Sequence, residues 1–553
     1  MTTDYAAYFP FPTVRAEQRQ AIDFAIDAFL AQKKRFVILE AGTGVGKSGI
    51  AVAISRYLAA AGGPTFQLDD TTIPTKGAYV ITTQKILQAQ YMDDFGPASG
   101  KNLMLSLKSA SNYSCGFYTD MRCSDSRRLM KQLGKSVFGT NFHKACSTAC
   151  PYKLDKEQFI EGPLGITNFS YFLAETMYAK QLVPRSLLVI DECHNVEAEL
   201  GKFIEVSFSE RFARSLGCRS VPALSASADA VLAWIKGPYK KALQGTLDGL
   251  TKKMSAQFGK SAPNKDLTDT SKRYELLDKH VCKVNRFIMT YDPKNWVMNP
   301  VKDDAKGGRK FEFKPVDVSP YAYEHLYRFG SLVLLMSATV VDKDTFCKSV
   351  GIDPADAAFL RVPSPFPPQN RPIHFLGVGS MSKDCIDKTL LGMTSVIKDL
   401  LELHKDEKGI IHCVNYKVAR WIVDHLSDPR LLLHDSTNRD QMIAFHLDSP
   451  DPTVLVSPSM TEGVDLADDS SRFQILCKVP FPYLGDPVIQ MRMQRNAGWY
   501  ACSTARAVIQ AFGRSIRNKD DHATSYILDS DWQKFYRTNS AMFPPEFVAA
   551  LQA

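Results

Sequence analysis

The residues best suited to chemistry form a glycine-rich segment between a predicted strand and a predicted helix. The segment is Ala41, Gly42, Thr43, Gly44, Val45, Gly46, Lys47 and Ser48. Alternate glycines let backbone N–H groups converge on phosphate oxygens, and a following helix presents its positive end. Lys47 would reach the outer phosphates of ATP, and the Ser48 hydroxyl would ligate Mg²⁺. The pattern predicts a phosphate-binding loop, although Ala41 stands where a first glycine is usual; a glycine-rich turn is the alternative.

An acidic pair follows the apolar run from Leu187 to Ile190. In nucleoside triphosphate hydrolysis such a pair completes the phosphate loop, with Asp191 holding Mg²⁺ and Glu192 polarising the attacking water. The alternative is an acidic turn that caps the next helix. The combination with the upstream loop favours the hydrolytic interpretation.

A third group of candidate residues lies near the end of the chain, on a predicted helix from Gln510 to Arg517. Arg514 and Arg517 are three residues apart and would share one helical face. Two guanidinium groups in that arrangement could meet a γ-phosphate, whereas surface ion pairs are the alternative.

Two further polar groups flank predicted strands of the first half. Arg15 and Gln18 precede the loop, and the Gln18 amide has the donor and acceptor needed for an adenine edge; a surface role is the alternative. Thr82, Thr83 and Gln84 follow a strand, at the edge where parallel sheets bind ligands. Helix capping is the alternative for both threonines.

Four cysteines are concentrated between residues 101 and 160, namely Cys115, Cys123, Cys146 and Cys150. Four thiolates can hold an iron–sulfur cluster or Zn²⁺, and the spacing does not choose between them. His143 is close enough to be considered as a ligand. The alternative is a set of four unrelated buried thiols.

Composition places these groups in a globular protein of several domains. The chain has 553 residues, of which 45% are hydrophobic and 23% charged. We expect a cytoplasmic protein with no membrane segment, since no apolar run is long enough and no signal peptide is evident. In such a reducing compartment the twelve cysteines favour thiols or metal ligands over disulfides.

The net charge of +8 is unevenly placed. Residues 101–160 hold ten Lys and Arg against four Asp and Glu, and residues 231–320 hold eighteen against ten. Two basic segments predict contact with a polyanion, and a solvated face is the alternative. Residues 200–325 are predicted to be mostly helical, with interleaved rings that suit single-stranded nucleic acid. These rings are Trp234, Tyr239, Tyr274, Phe287, Tyr291 and Trp296.

Strands and helices alternate in both halves, which predicts an α/β protein. A hydroxyl-bearing segment, Ser337 to Thr339, follows one buried strand and can relay hydrogen bonds towards a second domain. The proline-rich stretch from Val362 to Pro368 marks the linker into the second half, which lacks a phosphate loop of its own.

These motifs, in this order, resemble the superfamily 2 DNA helicases with an iron–sulfur domain, the XPD/DinG family. Motif I matches residues 41–48, motif Ia residues 82–84, the acidic box residues 191–194, motif III residues 337–339, motif V residues 459–465 and motif VI residues 510–517. One departure is the extra residue between Cys146 and Cys150, where the family commonly has C-x₂-C.

The resemblance implies two RecA-like parallel-sheet motor domains with ATP between them, a four-Cys iron–sulfur insertion and a helical arch. The expected division is 1–100, 166–200 and 326–362 for motor domain 1, 101–165 for the [4Fe–4S] domain, 201–325 for the arch and 363–553 for motor domain 2. It further implies that Gly463 and Asp465 bind ATP, and that Thr82, Thr83, Gln84 and Tyr113 contact DNA.

The expected function is therefore an ATP-dependent DNA helicase that moves 5′ to 3′ on single-stranded DNA and opens forked or tailed duplexes, as in DNA repair or replication. We expect a monomeric motor, and the sequence specifies no loading partner. The alternatives are a nucleic-acid-binding redox sensor or scaffold and an RNA-directed or non-unwinding translocase, since stacking and backbone contacts carry little information about the sugar.

Overall fold

Two parallel sheets and one small antiparallel sheet form the framework of the molecule. The computed structural model describes residues 5–63, 74–83, 85–101, 103–133, 137–179, 182–257, 265–302, 308–435, 437–458, 466, 468–516 and 518–552. Within these ranges no helix combines the length and the apolar character that a membrane crossing requires.

The strands take up the apolar runs of the sequence. In chain order they are β1 Phe36–Ala41, β2 Thr75–Thr82, β3 Leu105–Ser106, β4 Leu164–Asn168, β5 Arg185–Asp191, β6 Val206–Ser209, β7 Trp296–Lys302, β8 Arg309–Pro315, β9 Gly330–Ser337, β10 Ala357–Val362, β11 Ile373–Gly379, β12 Gly409–His412, β13 Leu431–Leu433, β14 Val454–Ser457, β15 Phe473–Leu476 and β16 Thr524–Asp529.

The helices connect these strands and cover the sheets. In chain order they are α1 Ala16–Leu30, α2 Lys47–Ala61, α3 Lys85–Phe95, α4 Cys123–Leu133, α5 Val137–Ala149, α6 Pro151–Glu161, α7 Phe169–Ala174, α8 Val196–Ile204, α9 Glu210–Ser215, α10 Ala228–Trp234, α11 Lys240–Gln257, α12 Lys265–Thr290, α13 Ser319–His325, α14 Lys343–Val350, α15 Ile386–Leu403, α16 Tyr416–Leu426, α17 Arg439–Asp448, α18 Pro487–Arg495, α19 Ala497–Phe512, α20 Asp531–Asn539 and α21 Pro545–Ala550.

The first sheet has the order β10-β1-β9-β5-β2-β4-β3, and its paired strands are parallel. Its central strands are apolar on both faces, as expected where helices cover both sides of a sheet. Glu40 lies opposite Ser337, and Asp191 lies opposite Met336. The carboxyl ends of β1, β9 and β5 therefore meet at one edge, which brings together residues from three distant parts of the chain.

The second sheet has the order β11-β16-β15-β12-β14-β13 and is likewise parallel. Two parallel sheets with helical connections confirm the α/β prediction. The division into six domain segments stays a prediction, as does the iron–sulfur character of the insertion.

The insertion predicted to be helical contains a third sheet, of order β6-β8-β7, in which the strands are antiparallel. Phe311 and Phe313 point into the core on either side of Glu312, a period of two that is typical of a strand and was overlooked in the helical prediction. Helices still make up most of the described residues of this segment, as predicted, and the three-stranded sheet is the element that the prediction missed.

The aromatic rings of this insertion belong mainly to its core. Trp234, Tyr239, Phe287 and Trp296 are at most 6% exposed. Tyr274 and Tyr291 are partly buried and pack against the same core. These four side chains therefore cannot stack on bases, because their faces are covered by protein, and contact with single-stranded nucleic acid stays a prediction for Tyr274 and Tyr291.

Candidate functional site

A cleft of about 690 Å³ lies between the two parallel sheets. One wall carries the predicted phosphate loop, Asp191 and Glu192, and the other carries Gln510 and Arg514. The structure thus gathers the main nucleotide-site candidates of both halves around one cavity. Gln84, Gly463, Asp465 and Arg517 lie outside the described residues.

The phosphate loop connects β1 to α2 through two glycines with left-handed backbone, Gly44 at φ +86° and Gly46 at φ +85°. A Cβ on Gly44 would lie 2.1 Å from the ring of Phe366, and one on Gly46 would lie 2.5 Å from Gln18 Nε2. The backbone conformation therefore favours glycine at both positions, and at Gly44 the Phe366 ring also occupies the space of a side chain. Helix α2 begins at Lys47, so its N-terminus opens onto the loop.

Arg15 and Gln18 lie beside this loop. Arg15 Nη2 donates a hydrogen bond of 2.8 Å to the carbonyl of Val45, and the Arg15 N–H donates one of 3.1 Å to Gln18 Oε1. Gln18 is 5% exposed. Both side chains therefore lie against the loop and support its conformation. The adenine contact predicted for Gln18 stays a prediction.

The acidic pair lies at the end of β5. Asp191 Oδ2 accepts a hydrogen bond of 3.0 Å from the hydroxyl of Tyr91. Glu192 adopts a left-handed backbone conformation with φ +51°, which is costly for a residue with a side chain and turns its carboxylate towards the loop. Lys47 Nζ lies 3.6 Å from Glu192 Oε1.

The two carboxyl groups are perturbed in opposite directions. Burial and the neighbouring Glu192 charge raise the pKa of Asp191 to about 6. Burial alone would also raise the pKa of Glu192, but the charge of Lys47 and the interactions with His194 outweigh it and lower the pKa to about 2. Arg514 contributes in the same direction across the cleft.

The side chains at this edge fit a magnesium ion. Asp191 and Ser48 line the same cleft, and carboxylate and hydroxyl oxygens are ligands that hard divalent cations prefer. Burial and the neighbouring Glu192 charge disfavour the charged form of Asp191. A bound divalent cation would offset both effects by stabilising the Asp191 carboxylate.

A hydrogen-bond network crosses the cleft at His194. Its Nδ1 lies 2.8 Å from Ser337 Oγ, and Gln510 Nε2 lies 2.8 Å from its Nε2. Gln510 Nε2 also donates to Thr339 Oγ1 at 3.1 Å. Because the Gln510 amide is a donor, a neutral His194 carries its proton on Nδ1. Residues of the acidic box, of the segment after β9 and of α19 thus form one connected group.

The geometry of the arginines differs from the prediction. Helix α19 ends at Phe512, so Arg514 lies beyond the helix and the argument from a shared helical face with Arg517 is wrong. Gly513 is the C-cap residue, and its N–H donates the last hydrogen bond of the helix, to the carbonyl of Ile509. Arg514 nevertheless lines the cleft and interacts with Glu192.

The candidate DNA contacts occupy different environments. Thr82 is fully buried at the end of β2, and Thr83 lines the cleft. Tyr113 is partly buried, packs edge-on against Tyr152 at 5.4 Å and hydrogen-bonds to Asp155. Thr82 therefore reaches no DNA in this arrangement, and roles in DNA binding for the other residues stay predictions.

The four cysteines of the insertion are all buried, and Cys123 Sγ lies 3.8 Å from Cys150 Sγ. Burial, followed by the neighbouring Cys150, raises the pKa of the Cys123 thiol to about 12. His143 is exposed. Over the described ranges, no three His, Cys, Asp or Glu side chains are arranged to hold a metal ion. The four thiols are suitable metal ligands. Because their side chains are not arranged around a common metal position here, the cluster stays a prediction.

Several residues of the site were not identified from the sequence. Tyr91 binds Asp191, and Ser364 Oγ donates a hydrogen bond of 2.8 Å to the carbonyl of Thr43. The Ser364 N–H in turn donates to Glu546 Oε1 at 3.0 Å. Arg371 also lines the cleft. The proline-rich linker that contains Ser364 was a usable signal, whereas Tyr91 and Arg371 belong to no recognisable pattern.

Two family models match parts of the chain. The model described as helicase C-terminal domain covers residues 399–544, and the model described as type III restriction enzyme, res subunit, covers residues 12–216. The first falls in the half that carries Gln510 and Arg514, and the second covers the phosphate loop and the acidic box.

Curated relatives match over short stretches. An ATP-dependent DNA helicase YoaA of Haemophilus influenzae is 23% identical over 223 residues, 38% of this chain and 33% of the relative. A regulator of telomere elongation helicase 1 homolog of Anopheles gambiae is 32% identical over 87 residues, 13% of this chain and 9% of the relative. The chain thus spans about a third or less of the length of these relatives.

Solved structures match over nearly the whole chain. An XPD helicase structure has a TM-score of 0.63 at 14% identity and covers 96% of this chain and 98% of its own. The S. tokodaii Xpd4 structure has a TM-score of 0.57 at 13% identity, with coverages of 97% and 99%. At such identities the likeness shows the fold. Taken with the family models and the partial sequence matches, this fold supports the prediction made from the motifs, that the chain resembles the XPD/DinG helicases of superfamily 2.

Proposed function

We propose that this protein is an ATP-dependent DNA helicase that translocates on single-stranded DNA and unwinds duplex DNA. The observation that carries the proposal is the hydrogen bond between His194 and Gln510, which joins the acidic box to the second sheet across the nucleotide cleft. A cleft that holds a phosphate loop on one side and Gln510 and Arg514 on the other is suited to convert nucleotide turnover into domain movement.

Each wall of the cleft has a distinct task in turnover. The N–H groups of the loop, the start of α2 and Lys47 bind the phosphates. Ser48 and Asp191 would hold Mg²⁺, which supplies charge that neutralises the phosphate oxygens. Glu192 accepts a proton from the attacking water. Arg514, and Arg517 in this proposal, stabilise the charge that develops on the γ-phosphate.

Movement follows from contacts that depend on the γ-phosphate. When that group leaves, Arg514 loses its partner, and the two sheets are held together by fewer interactions. A strand of DNA bound across both halves would then advance by a short step. The XPD/DinG resemblance supports the direction 5′ to 3′ and a monomeric motor.

The DNA would follow the basic segments 101–160 and 231–320, whose Lys and Arg side chains can neutralise backbone phosphates. Thr83, Gln84 and Tyr113 are proposed contacts along this path. Forked or tailed duplexes are the proposed substrates, because they offer both a single strand and a junction. The name of the relative YoaA, an ATP-dependent DNA helicase, supports DNA as the substrate.

Cys115, Cys123, Cys146 and Cys150 would hold a [4Fe–4S] cluster, with Zn²⁺ as the alternative. Thiolates are the ligands of both centres. The burial of all four side chains and the close pair Cys123 and Cys150 support a shared centre. Such a centre would contribute folding energy to the insertion.

The test uses the full chain, purified without oxygen. ATP hydrolysis is measured with and without single-stranded DNA, and unwinding is measured on 5′-tailed and 3′-tailed duplexes. We expect strong stimulation by DNA and unwinding of the 5′-tailed duplex. Hydrolysis that DNA does not stimulate would overturn the motor assignment in favour of a redox scaffold, and stimulation without unwinding would indicate a translocase.

A further inference from the structure

A second contact between the two halves lies at the opposite end of α19 from Gln510. Trp499 Nε1 donates a hydrogen bond of 2.9 Å to Glu197 Oε2. Arg492, on α18, forms an ion pair of 2.8 Å with the other carboxylate oxygen of Glu197. The Arg492 guanidinium also lies 5.2 Å from the centroid of the Trp499 ring. We call Glu197, Arg492 and Trp499 the Glu197 clamp.

The clamp is shielded from water and joined to a third part of the molecule. The side chains of Glu197 and Arg492 are 13% and 16% exposed, so their attraction is weakly screened. Arg492 Nε donates a hydrogen bond of 2.6 Å to the carbonyl of Val316, and Arg495 Nη1 donates one of 3.2 Å to Asn295 Oδ1. The acceptors Val316 and Asn295 flank the small antiparallel sheet, so α18 contacts the base of the insertion.

The position of the clamp relates it to the nucleotide site. Glu197 follows His194 by three residues, in the first turn of α8. Trp499 and Gln510 lie on the same helix, about 16 Å apart at 1.5 Å per residue. Helix α19 is therefore fastened at two points to the segment that begins with the acidic box. Arg506, between them on the helix, also donates a hydrogen bond of 3.2 Å to the carbonyl of Thr339. The clamp is the contact farthest from Gln510, so it has the longest lever on the orientation of a rigid helix.

We propose that the Glu197 clamp is a positioning device, which aligns α19 so that Gln510 meets His194 and Arg514 faces Glu192. This inference rests on the proposed ATPase function and deepens it. Since no clamp residue lines the cleft, loss of the clamp should impair the chemical step and the coupling to DNA, and it should spare nucleotide binding.

The decisive variant is Glu197→Ala in the full chain. With saturating single-stranded DNA we expect kcat for ATP hydrolysis to fall about tenfold, while the Kd of a fluorescent ADP analogue changes less than twofold. Glu197→Gln should recover part of the activity, because its amide oxygen still accepts the Trp499 N–H. The matched control is Glu199→Ala, which removes another carboxylate from the first turn of α8, one that pairs with Lys202 on the same helix.

A double-mutant cycle separates the clamp from a general loss of stability. If Glu197 and Arg492 act together, Glu197→Ala with Arg492→Ala should be no slower than Arg492→Ala alone. Additive losses, or a Glu197→Ala protein with the kcat of Glu199→Ala, would overturn the proposal. An equal weakening of ADP binding would also overturn it, since that result indicates a structural role.

Hydrogen exchange keeps this test independent of the proposed function. Glu197→Ala should speed amide exchange in residues 497–512 relative to Glu199→Ala, whether or not ATP is hydrolysed. If the wild-type protein had no ATPase activity, the motor assignment would be refuted. The exchange rates of Glu197→Ala and Glu199→Ala could still be compared and would still test the clamp. Unchanged exchange in residues 497–512 would refute the clamp alone.

Discussion

Lys47 Nζ lies 3.6 Å from Glu192 Oε1, so the phosphate loop and the acidic pair interact directly on one wall of the cleft. The lysine holds the Glu192 carboxylate charged, and phosphates entering the loop would compete for the same ammonium group. Binding of nucleotide and release of Glu192 to act as a base are therefore linked by one side chain.

Glu192→Gln should retain nucleotide binding and stop hydrolysis. The amide has nearly the same shape but cannot accept a proton from water. Lys47→Ala should instead lose turnover together with binding, because it removes the charge that anchors the outer phosphates. Titration with a fluorescent ATP analogue and a phosphate-release assay distinguish the two variants, and Lys202→Ala on the surface of α8 is the control. Near wild-type turnover by Glu192→Gln would refute its role as base.

Arg514→Ala should lower kcat by about a hundredfold or more, with a much smaller change in the affinity for ATP. The reason is that its guanidinium meets charge that develops only during γ-phosphate transfer. Arg537→Ala, which alters an exposed arginine near the end of α20, is the matched control. If ATP affinity and kcat fall by the same factor, Arg514 has a binding or structural role. Arg517→Ala is expected to behave like Arg514→Ala.

Cys150→Ser should remove a ligand of the proposed thiolate centre. We expect the fresh wild-type protein to be brown and to contain iron and acid-labile sulfide, and the variant to be colourless. The variant should lose strand separation and keep ATP binding, since the nucleotide ligands lie outside residues 101–160. Cys385→Ser, which alters an exposed cysteine of the second half, is the control. One zinc per chain in colourless wild-type protein would refute the cluster, and full unwinding by Cys150→Ser would refute the centre.

Glu175→Ala should destabilise the junction between the cysteine-containing insertion and the first sheet. Lys156 Nζ lies 2.6 Å from Glu175 Oε2, both side chains are at most 10% exposed, and Tyr171 donates a further hydrogen bond to the same carboxylate. An uncompensated buried lysine costs about 3–5 kcal/mol. Urea unfolding followed by hydrogen exchange at α6 and α7 measures the effect.

Replacing both members of that pair separates charge from packing. Lys156→Met combined with Glu175→Leu should recover much of the lost stability, because no charge then remains buried without a partner. A single Glu175→Ala variant that unfolds at the wild-type urea concentration would show that the pair contributes nothing.

The sequence specified those parts of the site that depend on local chemistry. The glycines of the phosphate loop follow from conformations that only glycine adopts easily, and Asp191 and Glu192 follow a recognisable apolar strand. Their proximity to Gln510 was predicted from the resemblance to the family motifs, because no local sequence pattern indicates that residues 191 and 510 are close in space. The end of α19 at Phe512 was missed, since a single glycine such as Gly513 can also occur inside a helix and was not taken as its end.

The remaining differences have tertiary causes. The period-two alternation of Phe311 and Phe313 spans only a few residues and was outweighed by the helical pattern around it. Tyr91 and Trp499 have ordinary positions on their helices, and their hydrogen bonds become visible only when distant elements are adjacent. The burial of Thr82 likewise depends on β4, which reaches the sheet after a long excursion of the chain.

The order of strands in the first sheet also governs how the chain can fold during synthesis. Strand β1, which supports the phosphate loop, lies between β9 and β10 in the sheet and pairs with both, and β9 begins at Gly330. At about 5–20 residues per second the ribosome needs roughly 15–60 s to reach the partners of β1. During that time β1 lacks the two strands that pair with it. Nascent chains that end before β9 therefore expose the unpaired edges of an apolar strand, which favours aggregation. Productive synthesis of this protein should consequently depend on chaperones that shield its first sixty residues until the ribosome has passed β10.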